Sequence, residues 1–263
     1  MEKNFYSIFF LLIISIFFTS CSEKKNIPYY QNIDKLTSQN ETSNFESKIQ
    51  PDDLLMIIVS APDPEAAAPF NLESISVPTA IGQTVPSQRQ QQLYLVDAKG
   101  MVQFPVLGEI KMSGQSKSEI IDFLKKKLKL YIKDAIINMR IVNFKVTVQG
   151  EVTRPGSFNI ASERVTLPEA LSLAGDLTIF GKRNNIVLVR EVDNKKSFNR
   201  IDITKADFIN SPYYYLSQND LIYVEPNSAR SKVATGFTQN GPIWIAIASL
   251  VSSIVLTVVL SKK

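Results

Sequence analysis

The 263-residue chain has no histidine and a single cysteine, Cys21. The absence of histidine removes the commonest general base and metal ligand near neutral pH. Enzymes built on carboxylates or lysine do without it, so catalysis is disfavoured rather than excluded. One cysteine rules out an intramolecular disulfide and any cysteine-cluster metal site. A nucleophile elbow, a phosphate-cradling glycine loop and a paired-carboxylate motif are also missing. No catalytic residue, metal site or cofactor is therefore assigned. Net charge is slight, +4, with both signs interspersed, which leaves no footprint for nucleic acid. What is present is apolar. Of all residues 44% are hydrophobic and 21% charged, a globular composition on a chain long enough for one large or two modest domains.

Both ends are unusually apolar. Residues 5–18 form an almost continuous apolar run after Lys3, and Thr19 and Ser20 lead into Cys21, the layout of a secretory signal. Because it ends at a cysteine, it is similar to a bacterial lipoprotein signal in which 1–20 is removed and Cys21 carries lipid. Phe18 stands where such signals usually have leucine, and an uncleaved anchor with a buried cysteine is the alternative. Three acyl chains would hold the protein firmly in membrane lipid. Ser22 after the cysteine, rather than Asp, fits the sorting rule that permits transfer to the outer membrane.

Residues 242–260, PIWIAIASLVSSIVLTVVL, carry no charge. As a helix they would extend about 28 Å, close to the hydrocarbon thickness of a bilayer. Gly241-Pro242 offers a helix start, Trp244 an interfacial aromatic, and Lys262 and Lys263 close the far side. Ser249, Ser252, Ser253 and Thr257, with Ala246, fall within roughly 140° of one another at helical spacing. Three readings of this stripe stay open: a seam for close helix packing, the wet wall of a multi-helix pore, or an anchor whose hydroxyls bond back to their own helix.

Between the ends, residues 22–48 are polar and aperiodic, as a tether would be. Pro51-Asp52-Asp53 opens an apolar strand over 54–59, and Gln218-Asn219-Asp220 before 221–224 echoes it; both aspartates are read as turn formers. Residues 62–92 predict a long loop. Strands over 93–96 and 101–104 predict a hairpin about Asp97-Ala98-Lys99-Gly100, with a further strand over 106–112. Ser116 and Glu119 form a capping box for a helix whose apolar face is Ile120, Leu124 and Leu128. Lys125, Lys126, Lys127 and Lys129 are read as its solvated face, contact with an acidic polymer being the sharper alternative. Residues 135–142 return as a strand. Thr166 and Glu169 cap a second helix over 167–174 that stops at Gly175. Strands follow over 186–190 and 198–203 about an Asp193-Asn194 turn. Tyr213, Tyr214 and Tyr215 are a candidate polymer or subunit contact, with local packing an equal alternative.

The stretch around which these parts are arranged is FKVTVQGEVTRPGSFNI, 144–160. Val146 and Val148 alternate with polar residues, as in a half-buried strand. Arg154-Pro155-Gly156 predicts a tight corner with positive φ at Gly156, and Gly150 a bulge or a close approach of another backbone. From VQGEVTRPGSFNI through Leu167-Pro168-Glu169-Ala170-Leu171 to Ala174-Gly175, the sequence resembles the soluble-ligand-binding β-grasp module of the outer-membrane polysaccharide export proteins. Upstream, GMVQFPVLGEI at 100–110 is similar to the hallmark of that family's export domain. The two stretches follow the family's order. Tyr29-Tyr30-Gln31-Asn32 also resembles the family's short aromatic segment after the lipidated cysteine, whereas Asp52 stands where the family usually has glycine.

The resemblance implies an α+β chain. Its parts are a signal peptide 1–20, a tether 21–48, a small α/β polysaccharide-export domain 49–143, a single β-grasp domain 144–227, a linker 228–241 and a transmembrane helix 242–260. It implies a lipid-anchored outer-membrane protein, mostly periplasmic, whose homo-oligomeric ring passes capsular or extracellular polysaccharide. The implied partner is an inner-membrane polysaccharide co-polymerase, often coupled to a tyrosine kinase. The alternative is a membrane-tethered periplasmic module that binds saccharide or docks onto an envelope complex, and a glycan-modifying enzyme is the third reading.

Overall fold

The computed structural model describes residues 28–35, 45–72, 75–77, 88–90, 92–192, 195–230, 243–247, 249–250, 252–254, 257 and 261. The signal region, Cys21, much of the tether, the 193–194 turn and most of the linker lie outside these residues.

The first body grows from the strand that the Pro51-Asp52-Asp53 turn delivers. In β1 (Leu54–Ser60), Leu55, Ile57 and Val59 are buried, the alternation of a strand covered on one face. It pairs antiparallel with short β4 (Tyr94–Leu95) on one side and with β7 (Ile136–Ile141) on the other. The stretch expected as a loop over 62–92 is partly built. Asp63 caps α1 (Pro64–Ala67), and a 3-10 turn, Ala68–Phe70, buries Phe70. Asn71 then binds both the N–H and the carbonyl of Val59, and β2 (Ile75–Val77) pairs with β3 (Gln88–Gln90). The hairpin expected between 93–96 and 101–104 does not form as a ladder. β5 (Met101–Phe104) pairs instead with β6 (Gly108–Lys111), because the intervening turn closes through positive φ at Val106 and Gly108 while Tyr94 and Leu95 are taken by β1. Helix α2 (Lys117–Leu128) starts at the expected capping box, with both reciprocal bonds between Ser116 and Glu119. Its Ile120, Leu124 and Leu128 complete a core with Leu55, Phe104 and Met139.

The second body is a five-stranded mixed sheet. β8 (Lys145–Gly150) and β9 (Gly156–Asn159) are the two strands read from 144–160, antiparallel, with Val146 and Val148 buried. Their connection is not the tight corner expected. Val152 is buried and bridges Leu177, and the Thr153 and Arg154 N–H groups bind the Asp176 and Ala174 carbonyls. These anchors hold 151–155 in a wider path, so Gly156 needs no positive φ. The positive φ falls on Gly150, at 91°. Helix α3 (Leu167–Leu173) has the second capping box, Thr166 with Glu169, and Gly175 follows it at φ 72°. With β10 (Gly181–Val192), β11 (Lys195–Ile201) and β12 (Leu221–Pro226), the sheet order is β11-β10-β12-β8-β9, with only β12 and β8 parallel. Leu167, Ala170 and Leu171 of α3 share its core with Val148, Leu188 and Ile222.

Of the stretch 242–260, the described residues are helical and exposed, in runs no longer than 243–247. Among the described residues no helix is long and apolar enough to cross a membrane. The expected spanning helix is therefore not supported, and the fold shown is a mixed α/β chain with two cores and few helices.

Candidate functional site

The two cores meet at a turn that the chain uses twice. In 50–53 and again in 217–220, the third residue adopts a left-handed conformation, Asp52 at φ 68° and Asn219 at φ 63°. The fourth is an aspartate with no exposed surface whose Oδ2 accepts the N–H of the first, Gln50 or Ser217. Each turn also docks by the same pair of backbone bonds, to Val96 in the first and to Lys145 and Thr147 in the second. Asp52 thus fits where glycine would be usual, since Asp and Asn tolerate the left-handed region better than other side chains. Asn143 and Gln218 join the two copies. Asn143 accepts from Leu54 N–H and donates to the Asp52 carbonyl. Gln218 accepts from Lys145 N–H and donates to the Asn143 carbonyl. Ile141 packs against both cores.

The two aspartates differ in what faces them. Asp220 is held by the Arg190 fork, with Nε 3.0 Å from Oδ1 and Nη2 2.7 Å from Oδ2. Burial still raises its carboxyl, against the pull of Arg190 and Ser217. Asp53 has no such cation, and its Oδ1 has no hydrogen-bond partner among the described residues. Gln218 lies near enough to relieve it electrostatically, yet its Nε2 is given to Asn143. Burial pushes the Asp53 carboxyl up to about 6 from 3.8. A group whose pKa is higher folded than unfolded contributes stability that is present at acid pH and lost as pH rises through the folded value. Asp53→Asn is expected to remove this loss, on the order of 3 kcal/mol between pH 4 and pH 8. Urea midpoints of both proteins at the two pH values test it; an unchanged pH dependence in the variant would contradict it.

The tether is not free along its length. Tyr30 and Gln31 N–H bind the Ile203 and Thr204 carbonyls, and Asn32 accepts from Ala206 N–H at 2.6 Å. Tyr29 donates to Asp176 at 2.6 Å with Arg183 over its ring, and burial with that bond raises its hydroxyl pKa. A second strap, 45–49, touches both bodies. Glu46 accepts from the N–H and hydroxyl of Ser118 at the start of α2, which lowers its pKa, while Phe45 stacks on Tyr215 with centroids 5.0 Å apart. Phe45, Glu46 and Ile49 line two cavities, of about 490 Å³ and about 730 Å³.

The residues singled out from the sequence are dispersed. Tyr213 and Tyr214 pack on the second core, Tyr214 against Phe208, while Arg190 lies over Tyr213 and Arg164 over Tyr215. In the 242–260 stretch, Ser249 donates to the Ala246 carbonyl and Thr257 to that of Ser253. Ser252 and Ser253 are exposed, and Cys21 lies outside the described residues. Sequence reasoning missed the Asn143–Gln218 clamp and the 45–49 strap, because neither has a periodic signature and both depend on contacts distant in sequence. Among the described residues no three His, Cys, Asp or Glu side chains could share a metal ion.

Comparison with known proteins gives these elements a context. A family model of polysaccharide biosynthesis/export proteins matches residues 41–142, and a model of the SLBB domain matches 145–197. The EPS I polysaccharide export outer membrane protein EpsA of Ralstonia solanacearum is 27% identical over 146 residues, 54% of this chain and 38% of that protein. EpsA of Ralstonia nicotianae is 35% identical over 101 residues, 37% of this chain and 26% of that protein. The match spans well under half the length of these curated relatives. This is a family of transport proteins rather than enzymes. With both modules in order and together covering more than half of its length, the chain belongs to the polysaccharide biosynthesis/export protein family.

Proposed function

We propose that this chain is an outer-membrane component of a machine that exports capsular or extracellular polysaccharide. The observation that carries this reading is the ordered pair of matched modules in this chain, export then SLBB, together with its similarity to proteins named as polysaccharide export outer membrane proteins. In this reading 49–143 and 144–227 are the export and β-grasp domains and 228–241 a linker. Cys21 carries lipid after removal of 1–20, and 242–260 inserts in the membrane. Several copies form a ring whose wall or seam includes Ser249, Ser252, Ser253 and Thr257. An inner-membrane co-polymerase, often kinase-coupled in this family, delivers the polymer.

A second reading is a tethered saccharide-binding or adaptor module. The hydroxyls of Ser249 and Thr257, bonded back to their own helix, favour it, because a simple anchor satisfies its polar side chains in this way. Replacing Ser249, Ser253 and Thr257 together by Leu separates the two. Export at least tenfold lower is expected for a pore wall or seam, and unchanged export for an anchor. Mass measurement in detergent, on the full mature chain beside one ending before Pro242, is the independent test. A closed oligomer lost on truncation supports the ring, and a monomer in both forms overturns it.

A further inference from the structure

The cavity of about 490 Å³ has walls from both bodies and from the 45–49 strap. Its charges are unbalanced in use. Both carboxylates are engaged, Glu46 by Ser118 and Glu163 by Lys117. Its two arginines, Arg140 on β7 and Arg164 ahead of α3, form no ion pair among the described residues. Arg140 gives one N–H to the Ala161 carbonyl at 2.9 Å, which ties it to the loop that bears Arg164. The guanidinium carbon of Arg164 lies over the Tyr215 ring, 5.4 Å from its centroid. A guanidinium over a ring face still presents its five donors in one plane, in the fork that matches a carboxylate. Phe45, stacked on the same tyrosine, adds an apolar face to the lining.

Two under-used guanidinium forks beside an aromatic face, with no free carboxylate to satisfy them, fit a sugar ring that bears a carboxylate. A neutral sugar would fill the space without using either charge. We propose that this cavity is a binding site for carboxylated sugars of the uronic acid type, with Arg140 and Arg164 holding the carboxylate and Phe45 packing on the ring. The inference rests on the export reading only for taking the ligand to be a saccharide.

The test is calorimetric titration of the full mature chain in detergent with oligogalacturonide, monomeric galacturonate, neutral maltohexaose and inorganic phosphate. Oligogalacturonide is expected to bind at least tenfold more tightly than maltohexaose, and more weakly as salt rises. Galacturonate binding at the same residues would place recognition on a single sugar; oligomer-only binding would extend it along the chain, and both support the site. Arg140→Gln and Arg164→Gln should each weaken binding about tenfold, the size of one charge-assisted hydrogen bond. Lys126→Gln, on exposed α2, should change nothing. Both arginines are exposed, so the variants should keep the parent's melting temperature. Equal affinity for maltohexaose, tighter binding of phosphate, unchanged affinity in the double variant or no saccharide binding would each overturn the proposal. Failed binding with export intact in cells sinks this site alone, whereas intact binding in a strain whose export does not need the protein sinks the export reading.

Discussion

Gly150→Ala is expected to lower stability by about 3 kcal/mol or more, a large share of what holds a domain together. Two costs add. Gly150 sits at φ 91°, where an L side chain is strained, and a Cβ there would lie 2.1 Å from the Val224 carbonyl oxygen and 2.9 Å from its carbon. Those atoms are backbone of β12, and the same carbonyl accepts the Glu151 N–H, so they move only if the parallel β12–β8 pairing opens. Gly156→Ala is the matched control. It has no positive φ, and its nearest neighbour would be Phe158 at 3.9 Å, so a change below about 1 kcal/mol is expected. Denaturation midpoints of the two variants check the pair, and equal effects would contradict the close approach described at Gly150.

Arg190→Met is expected to cost about 3–5 kcal/mol near neutral pH, the usual penalty for removing one partner of a buried ion pair. Asp220 has no exposed surface, and the fork that satisfies it also donates to the Tyr215 carbonyl. Without it a carboxylate is stranded at the head of β12. The sign with pH follows. Losing the cation raises the folded pKa of Asp220 further, so the variant should recover stability as pH falls and the carboxyl takes a proton. Arg190→Met combined with Asp220→Asn should recover part of the loss at pH 8, where the carboxylate is ionised, and little at acid pH. Urea midpoints at pH 5 and pH 8 decide it. A penalty independent of pH would mean that Arg190 acts through packing on Tyr213 rather than through charge.

Local chemistry made much of this fold legible. The Ser116–Glu119 and Thr166–Glu169 capping boxes mark two helix starts because the signal is complete within four residues. The alternation in 144–149, the close approach at Gly150 and the echo between Asp53 and Asp220 were equally local. Partner choice was not. Nothing near residue 101 says that β5 will take β6 rather than β4, since that depends on β4 pairing with β1, distant in sequence. Pro64 at a helix start and Asn71 tied to Val59 hid structure inside a stretch whose composition reads as loop. At 29–32 the resemblance to an aromatic segment allowed a packed contact without naming its partner, and the strap at 45–49 carried no signal of its own. Tyr29 finds Asp176, 147 positions away, and Phe45 finds Tyr215. The candidate site suffered most, because a cleft between two bodies has no sequence period at all: Arg140 reads as an ordinary outward residue of β7 until Arg164 is placed beside the same cavity.

The lysines of α2 show the converse. A row of charges looks like a site in sequence, but Lys125, Lys126, Lys127 and Lys129 are exposed to solvent, with Lys127 over the Phe123 ring. Such a face contributes little to specific recognition unless a shaped surface accompanies it.

The most direct measurement is to delete the gene in its native host and follow where the extracellular polysaccharide goes, with a plasmid copy as the control. Loss of surface polymer with material accumulating inside the envelope, restored by the intact chain, is the expected result. Surface polymer unchanged in amount and length by the deletion would contradict the assignment to export.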